Sequence, residues 1–203
     1  MARLTIPRLR RQSLPIERLL RQTDGSAILE FALTLPLLVV FVVGIYDFSG
    51  AFNQKQKIEQ AAQEGAIVAA AQPTSDIDPS KGNPDSLQQV VTAVFNSLAG
   101  SGVIPTGTCS PPGKVSQVSP LTWTYTISGC SSANPGDNLV ITINRGWTAA
   151  SGGTPVTYAV GSVVTVSYPY HWRFNSAIQL LIPGASYAAI TNVTESATVH
   201  NQM

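Results

Sequence analysis

Residues 25–52 read GSAILEFALTLPLLVVFVVGIYDFSGAF. The centre of this stretch, FALTLPLLVVFVVGIY over 31–46, carries no charge. Extended to Ser26 and Phe48 it is 23 residues long, with Glu30 and Asp47 its only charged residues. About 20 apolar residues of helix cross a hydrocarbon core, so 26–48 is expected to be a transmembrane helix. The competing reading is a helix buried in a soluble domain, and the rest of the chain has no matching apolar mass to bury it. Pro36 removes one backbone donor and leaves the Ala32 carbonyl without its usual partner. A neighbouring helix or Thr34 is the expected compensation. Pro36 is either a kink that helps the helix leave the bilayer or simply a tolerated membrane proline. Asp47 is expected as a solvated residue at the outer membrane edge, with a partner contact as the alternative.

Charge divides the chain on either side of this run. Residues 1–25 hold six arginines (3, 8, 10, 11, 18 and 21) against Glu17 and Asp24, a net +4. Residues 26–203 hold six basic and nine acidic groups, a net −3. A basic segment directly before an apolar run is a cytoplasmic membrane flank rather than a nucleic-acid arm. The N-terminus is therefore expected inside and the remainder outside. Charged residues make up 11% of the 203, against roughly 25% in soluble domains. Lipid accounts for part of that deficit, and an exported surface of Ser, Thr, Gly and Asn for the rest. The two cysteines, Cys109 and Cys130, lie in this polar half. In an oxidising compartment they are expected to pair, and two free thiols are the alternative.

Downstream of the membrane run the helix is expected to continue. AFNQKQKIEQAAQEGAIVAAAQP (51–73) is rich in helix formers. Phe52, Ile58, Ala62, Ala66 and Ala69 can share one side, and Lys55–Glu59 is a possible i,i+4 pair in the weaker orientation. Pro73 ends the run, giving one helix from about Ala27 to Ala71. A linker follows over 73–85. Asn83-Pro84 suggests an N-cap with proline at the first helical position. Leu87, Val90, Val91, Val94, Phe95 and Leu98 repeat at helical spacing, and Gly100 is the expected C-cap.

Strands follow. LTWTYTIS (121–128) and LVITIN (139–144) alternate apolar and polar. Residues 156–168 hold one strand, or two if Gly161 turns the chain, and 191–200 a weaker last one. Residues 173–182 suggest a short helix with Ile178, Leu181 and Ile182 apolar. The expected class is α+β: a long N-terminal transmembrane helix followed by a small antiparallel β-rich domain with one or two short helices. The expected organisation is a basic cytoplasmic leader (1–25), a transmembrane helix (26–48), its extramembrane continuation (49–72), a linker (73–85) and an exported domain (86–203). Trp123, Tyr125, Trp147, Tyr168, Tyr170 and Trp172 are expected mainly as core and cross-strand pairs, with an adhesive patch as the alternative.

The junction itself resembles a known processing site. A basic leader, Gly25, the sequence SAILEFALTLP and Glu30 fifth after the glycine are similar to the prepilin-peptidase site of type IV pilins and their Tad/Flp relatives. EFALTLPLLVVFVVGIYDFSGAF and the Ala61, Ala62, Glu64, Gly65, Ala66 run resemble the TadE-like proteins over about residues 25–71. Ser26 and Phe31 depart from the main pilins and favour a minor or assembly-type pseudopilin. The resemblance implies cleavage between Gly25 and Ser26 by a prepilin peptidase. It implies that Glu30 then meets the new amine at Ser26, its own or a neighbour's. Without the motif, Glu30 reads as a carboxylate that snorkels to the headgroups, since a buried charge in lipid costs a few kcal/mol. The implied partners are the prepilin peptidase, other pilins or pseudopilins, Tad inner-membrane assembly components and membrane lipid, with no nucleic acid. The implied place is the bacterial inner membrane, as a single-pass protein that assists or enters a surface pilus or serves adhesion.

No enzyme is expected. His171 and His200 are not in metal-ligand spacing, no GxSxG, P-loop or GxGxxG occurs, and no metal or other cofactor is implied. Asp76-Ile77-Asp78 lies in a Pro/Ser linker rather than a metal loop. A conventional signal sequence is disfavoured because small residues at −3 and −1 are missing after the apolar core. The remaining alternative is an uncleaved single-pass anchor whose exported domain recruits pilus or secretion machinery.

Overall fold

The computed structural model of the chain describes residues 23–78, 82–131, 134, 136–150, 158–173, 184 and 192–202. The chain divides into two units, Met1–Ile45 and Tyr46–Met203. Helix α1, Thr23–Ala71, contributes to both. It begins four residues earlier than expected, so Gly25 lies within it. It is assigned continuously through Pro36.

In the first unit the large apolar side chains point away from any protein neighbour. Ile28 is 72% exposed, and Leu29, Phe31, Leu33, Leu37 and Phe41 are similarly open. None of the most apolar window is buried, and the helix is long and apolar enough to cross a membrane. A water-facing helix with this surface is unfavourable at roughly 25 cal/mol per Å². Lipid is the solvent that suits it.

The second unit opens with the remainder of α1 and continues with α2 (Asp85–Gly100) and five strands: β1 (Lys114–Ser119), β2 (Thr122–Ser128), β3 (Asn138–Ala150), β4 (Tyr158–Pro169) and β5 (Asn192–His200). The strands form one sheet in chain order, each antiparallel to the next. Alternation assigns the faces. Trp123, Tyr125 and Ile127 pair with Ile143, Ile141 and Leu139, and Val164 and Val166 continue the same rows on β4. These residues are buried in one cluster with Ile58, Ala61, Ala62, Ala66 and Ala69 of α1 and with Leu87, Val90, Val91, Val94 and Leu98 of α2. The opposite face carries hydroxyls. One rung crosses all five strands as Ser116, Thr124, Thr142, Thr165 and Ser196, and Thr124 and Thr142 hydrogen-bond at 3.1 Å.

Several local expectations are corrected. Phe52 is exposed rather than on the Ile58 side; six residues at about 100° each place it about 120° around the helix. Lys55 pairs with Glu195 on β5 at 3.3 Å, not with Glu59. Pro84 is the N-cap of α2 rather than its first helical residue, and no side chain of its own caps it. The Asp76 carboxylate does so from outside, accepting from the Ser86 amide at 2.8 Å. Asn83 instead accepts from the Tyr125 hydroxyl at 2.9 Å. Gly100 is the last helical residue, Ser101 is the C-cap, and Gly102 takes the positive φ of 72°. Gly161 does not turn the chain, since β4 runs unbroken from Tyr158 to Pro169; a side chain there would meet the Trp147 ring at 2.7 Å, so its bareness makes room for that indole. Strand β1 was not expected. Its residues are exposed or half-buried and lack an apolar face, as befits an edge. The short helix expected over 173–182 lies outside the described residues apart from Arg173.

Candidate functional site

The junction residues lie on one helical segment. Helical spacing puts Glu30 one turn after Ser26, and the Ser26 hydroxyl donates to Glu30 Oε1 at 3.3 Å. Glu30 and Phe31 are exposed among apolar neighbours. The carboxylate is thus held close to the residue whose backbone nitrogen would become an amine if the Gly25–Ser26 bond were cut. An exposed carboxylate in a lipid-facing stretch is costly unless it is near the interface or has a partner. Thr34 does not compensate for Pro36. Its hydroxyl donates to the Phe31 carbonyl at 3.2 Å, because a helical hydroxyl reaches back three or four residues and Ala32 is two away.

The alanine-rich end of α1 has a packing role. Ala61, Ala62, Gly65 and Ala66 are buried, and a side chain at Gly65 would collide with Val94 of α2 and meet Val164 of β4 at 3.2 Å. Small residues let the helix lie close on both elements. Glu64 faces outward and accepts from Gln60 Nε2 at 3.1 Å.

Between these stretches, at the start of the second unit, α1 meets the chain that leaves β4. Asp47 is fully buried, which corrects its reading as a solvated boundary residue. The Tyr170 hydroxyl donates to the Asp47 carbonyl at 3.1 Å. Gly50 permits that approach, since a Cβ there would meet the same hydroxyl at 2.6 Å. Trp172 stacks edge-on against both Tyr170 and Phe48, with ring centroids 5.2 Å and 5.4 Å away. Of the six aromatics singled out in sequence, Trp123, Tyr125, Tyr168 and Tyr170 are buried, while Trp147 and Trp172 are half-buried. The core reading holds for the first four.

Other polar anchors hold the sheet. Cys109 and Cys130 form a disulfide. The Tyr168 hydroxyl donates to the Cys130 carbonyl at 3.0 Å, and burial with the nearby Asp137 charge pushes its pKa up. Burial, then the Asp76 charge, pushes Tyr125 up to about 12. Arg145 is buried, donating to Ser162 Oγ at 3.0 Å and to the Gln72 carbonyl at 2.9 Å. Burial lowers its pKa and Asp76 opposes that. His171 Nε2 lies 2.8 Å from Asp137 Oδ2. Among the described residues no three His, Cys, Asp or Glu cluster as a metal site. The sequence pattern carries no signal that Asp47 and Arg145 are buried and Asp76 half-buried. A glycine three residues after Asp47 inside a helical pattern was the one available signal of a close approach.

The comparisons agree with the first stretch. Residues 25–66 match the family model described as TadE-like protein. No curated protein matches the chain, and no solved structure matches it. The apolar helix and this match make the chain a membrane-anchored protein.

Proposed function

We propose, starting from the TadE-like match over residues 25–66, that the chain is a minor, pilin-like component of Tad/Flp pilus assembly. In this reading a prepilin peptidase cuts between Gly25 and Ser26, and the mature chain keeps its apolar helix in the inner membrane with Tyr46–Met203 outside. The partners are that peptidase, other pilins or pseudopilins, and the inner-membrane assembly components. Surface adhesion through the exported unit is the alternative role for the same chain. The observation that carries the proposal is the Ser26–Glu30 geometry, a carboxylate one helical turn from the proposed new N-terminus. In lipid, an amine and a carboxylate at that spacing attract far more strongly than in water. Such a pair makes Glu30 tolerable in the bilayer, and exchange of its partner for a neighbour's amine would join subunits.

The test has two arms. Glycine brings the backbone close to a peptidase because it has no Cβ. Gly25→Val should therefore leave the leader of Met1 to Gly25 attached, read as intact mass of membrane-extracted protein. Glu30→Ala should still be cut and inserted but should not support surface filaments. Wild-type protein that keeps its leader would replace this reading with an uncleaved single-pass anchor. Normal filaments from a cleaved Glu30→Ala chain would remove the pairing role alone.

A further inference from the structure

Tyr170 stands between two adjoining depressions on the second unit. One, of about 200 Å³, is lined by Phe48, Ala51, Phe52, Lys55, Trp172 and Val193. Its surface is almost wholly apolar, and Phe48 and Phe52 are more than half exposed there. The other, of about 390 Å³, is polar and includes Asn53, Gln54, Lys57 and Arg173. An apolar groove beside a cationic, hydrogen-bonding cavity matches the two halves of one ligand class. The geometry points to a glycerophospholipid site: the start of an acyl chain against Phe48, Phe52 and Trp172, and the phosphate headgroup toward Arg173 and Lys57.

Three observations favour lipid over another occupant. The groove begins at Phe48, the last residue of the apolar membrane stretch and two positions after the uncharged run ends at Tyr46. Tyr46, 56% exposed, and the half-buried Trp172 are of the two residue types enriched at the headgroup level of a bilayer. Of the basic groups beside them, Lys55 is paired with Glu195, while Arg173 is exposed and Lys57, which gives one N–H to the Ser101 carbonyl at 2.8 Å, keeps its charge at the cavity wall. The site rests on the membrane-anchored reading and adds to it a second, peripheral hold by the folded unit on the bilayer.

Residues 26–45 contain no tryptophan, so the three in the chain, Trp123, Trp147 and Trp172, report only on the second unit. The experiment uses the full chain reconstituted in vesicles of phosphatidylcholine carrying headgroup nitroxides, with or without phosphatidylglycerol. Flotation with the vesicles reports membrane anchoring separately from fluorescence. Quenching should be strong in the wild type and at least threefold weaker in Trp172→Phe. Phe52→Ala, which alters an exposed side chain and leaves Trp172 in place, should also weaken it. Phosphatidylglycerol should deepen quenching, and Arg173→Gln should lower apparent binding to that lipid about fivefold, the change expected for one basic residue near an anionic surface. Wild-type chain that floats without quenching would overturn the site, whether a second copy or the chain's own 174–183 segment covers the groove. Quenching that survives Trp172→Phe would overturn it as well.

Discussion

Two stretches of one helix, residues 28–42 and 58–70 of α1, have the same backbone and opposite surroundings. In the first, Ile28, Leu33 and Phe41 are large and exposed. In the second, Ala61, Ala62, Ala66 and Ala69 are small and fully buried. The buried side of the second stretch is mostly small, with Ile58 the large exception, and its open side carries Glu59, Gln60, Gln63 and Glu64. Large side chains fill lipid, where no neighbour sets a limit. Small ones allow two elements to approach a helix axis closely, and Gly65 marks the tightest point. The difference teaches that a run of alanines in such a chain is a packing surface, even where its composition also suits a solvated helix.

The largest expected effect breaks the comparison from the buried side. Ile58→Ala should lower the unfolding free energy of the second unit by about 3 kcal/mol, in the usual range for a core deletion. Leu38→Ala in the exposed stretch should leave that unfolding unchanged. Chemical denaturation in detergent, followed by near-UV circular dichroism, checks both. Gly65→Val should cost about 2 kcal/mol by overpacking against Val94 and Val164, whereas Val42→Leu should cost the fold nothing.

Alkaline titration probes the core that the alanines pack into, through Tyr125, which is buried in the same cluster. Tyr125 is neutral in the fold up to about 12 but begins to ionise near 10 when unfolded. The unfolded chain therefore holds fewer protons between those values, and stability must fall as pH rises through that window. Tyr125→Phe should flatten this fall while lowering stability at neutral pH by about 1 kcal/mol through the lost bond to Asn83. The smallest effect is expected at Lys55→Ala. That pair with Glu195 is half open to solvent, so its loss should change stability by about 0–1 kcal/mol, with the difference vanishing in high salt.

Legibility in the sequence followed how local the determinant was. The apolar run, the alternation of Trp123, Tyr125 and Ile127, and the helical spacing of Leu87 to Leu98 are all periodic, and each gave its element. Residues whose role depends on a distant partner were not legible. The Asp47 backbone carbonyl is met by Tyr170, which lies 123 positions on. Asp76 lies in linker sequence, and its role depends on the Ser86 amide and on Arg145, both remote from it in the chain. Strand β1 has no apolar face of its own and exists because β2 offers it an edge. At the junction, Glu30 fifth after Gly25 was legible from the motif. The direction of the Thr34 hydroxyl away from Ala32 was not.

The order of the sheet has a consequence for how the chain is made. Because β1 to β5 lie side by side in the order in which they are synthesised, each new strand finds its template already present, and only the 22 residues between β4 and β5 make a long connection. The last strand then closes a circuit to the oldest element. Lys55 meets Glu195, and the Gln202 amide donates to the Ala70 carbonyl at 3.1 Å. Until β5 emerges, the strand edge of β4 and the flank of α1 that meets Glu195 and Gln202 stay open. Residues 192–202 thus act as a completion seal, and a chain cut short before residue 192 would leave the β4 edge unpaired, an open template for another strand.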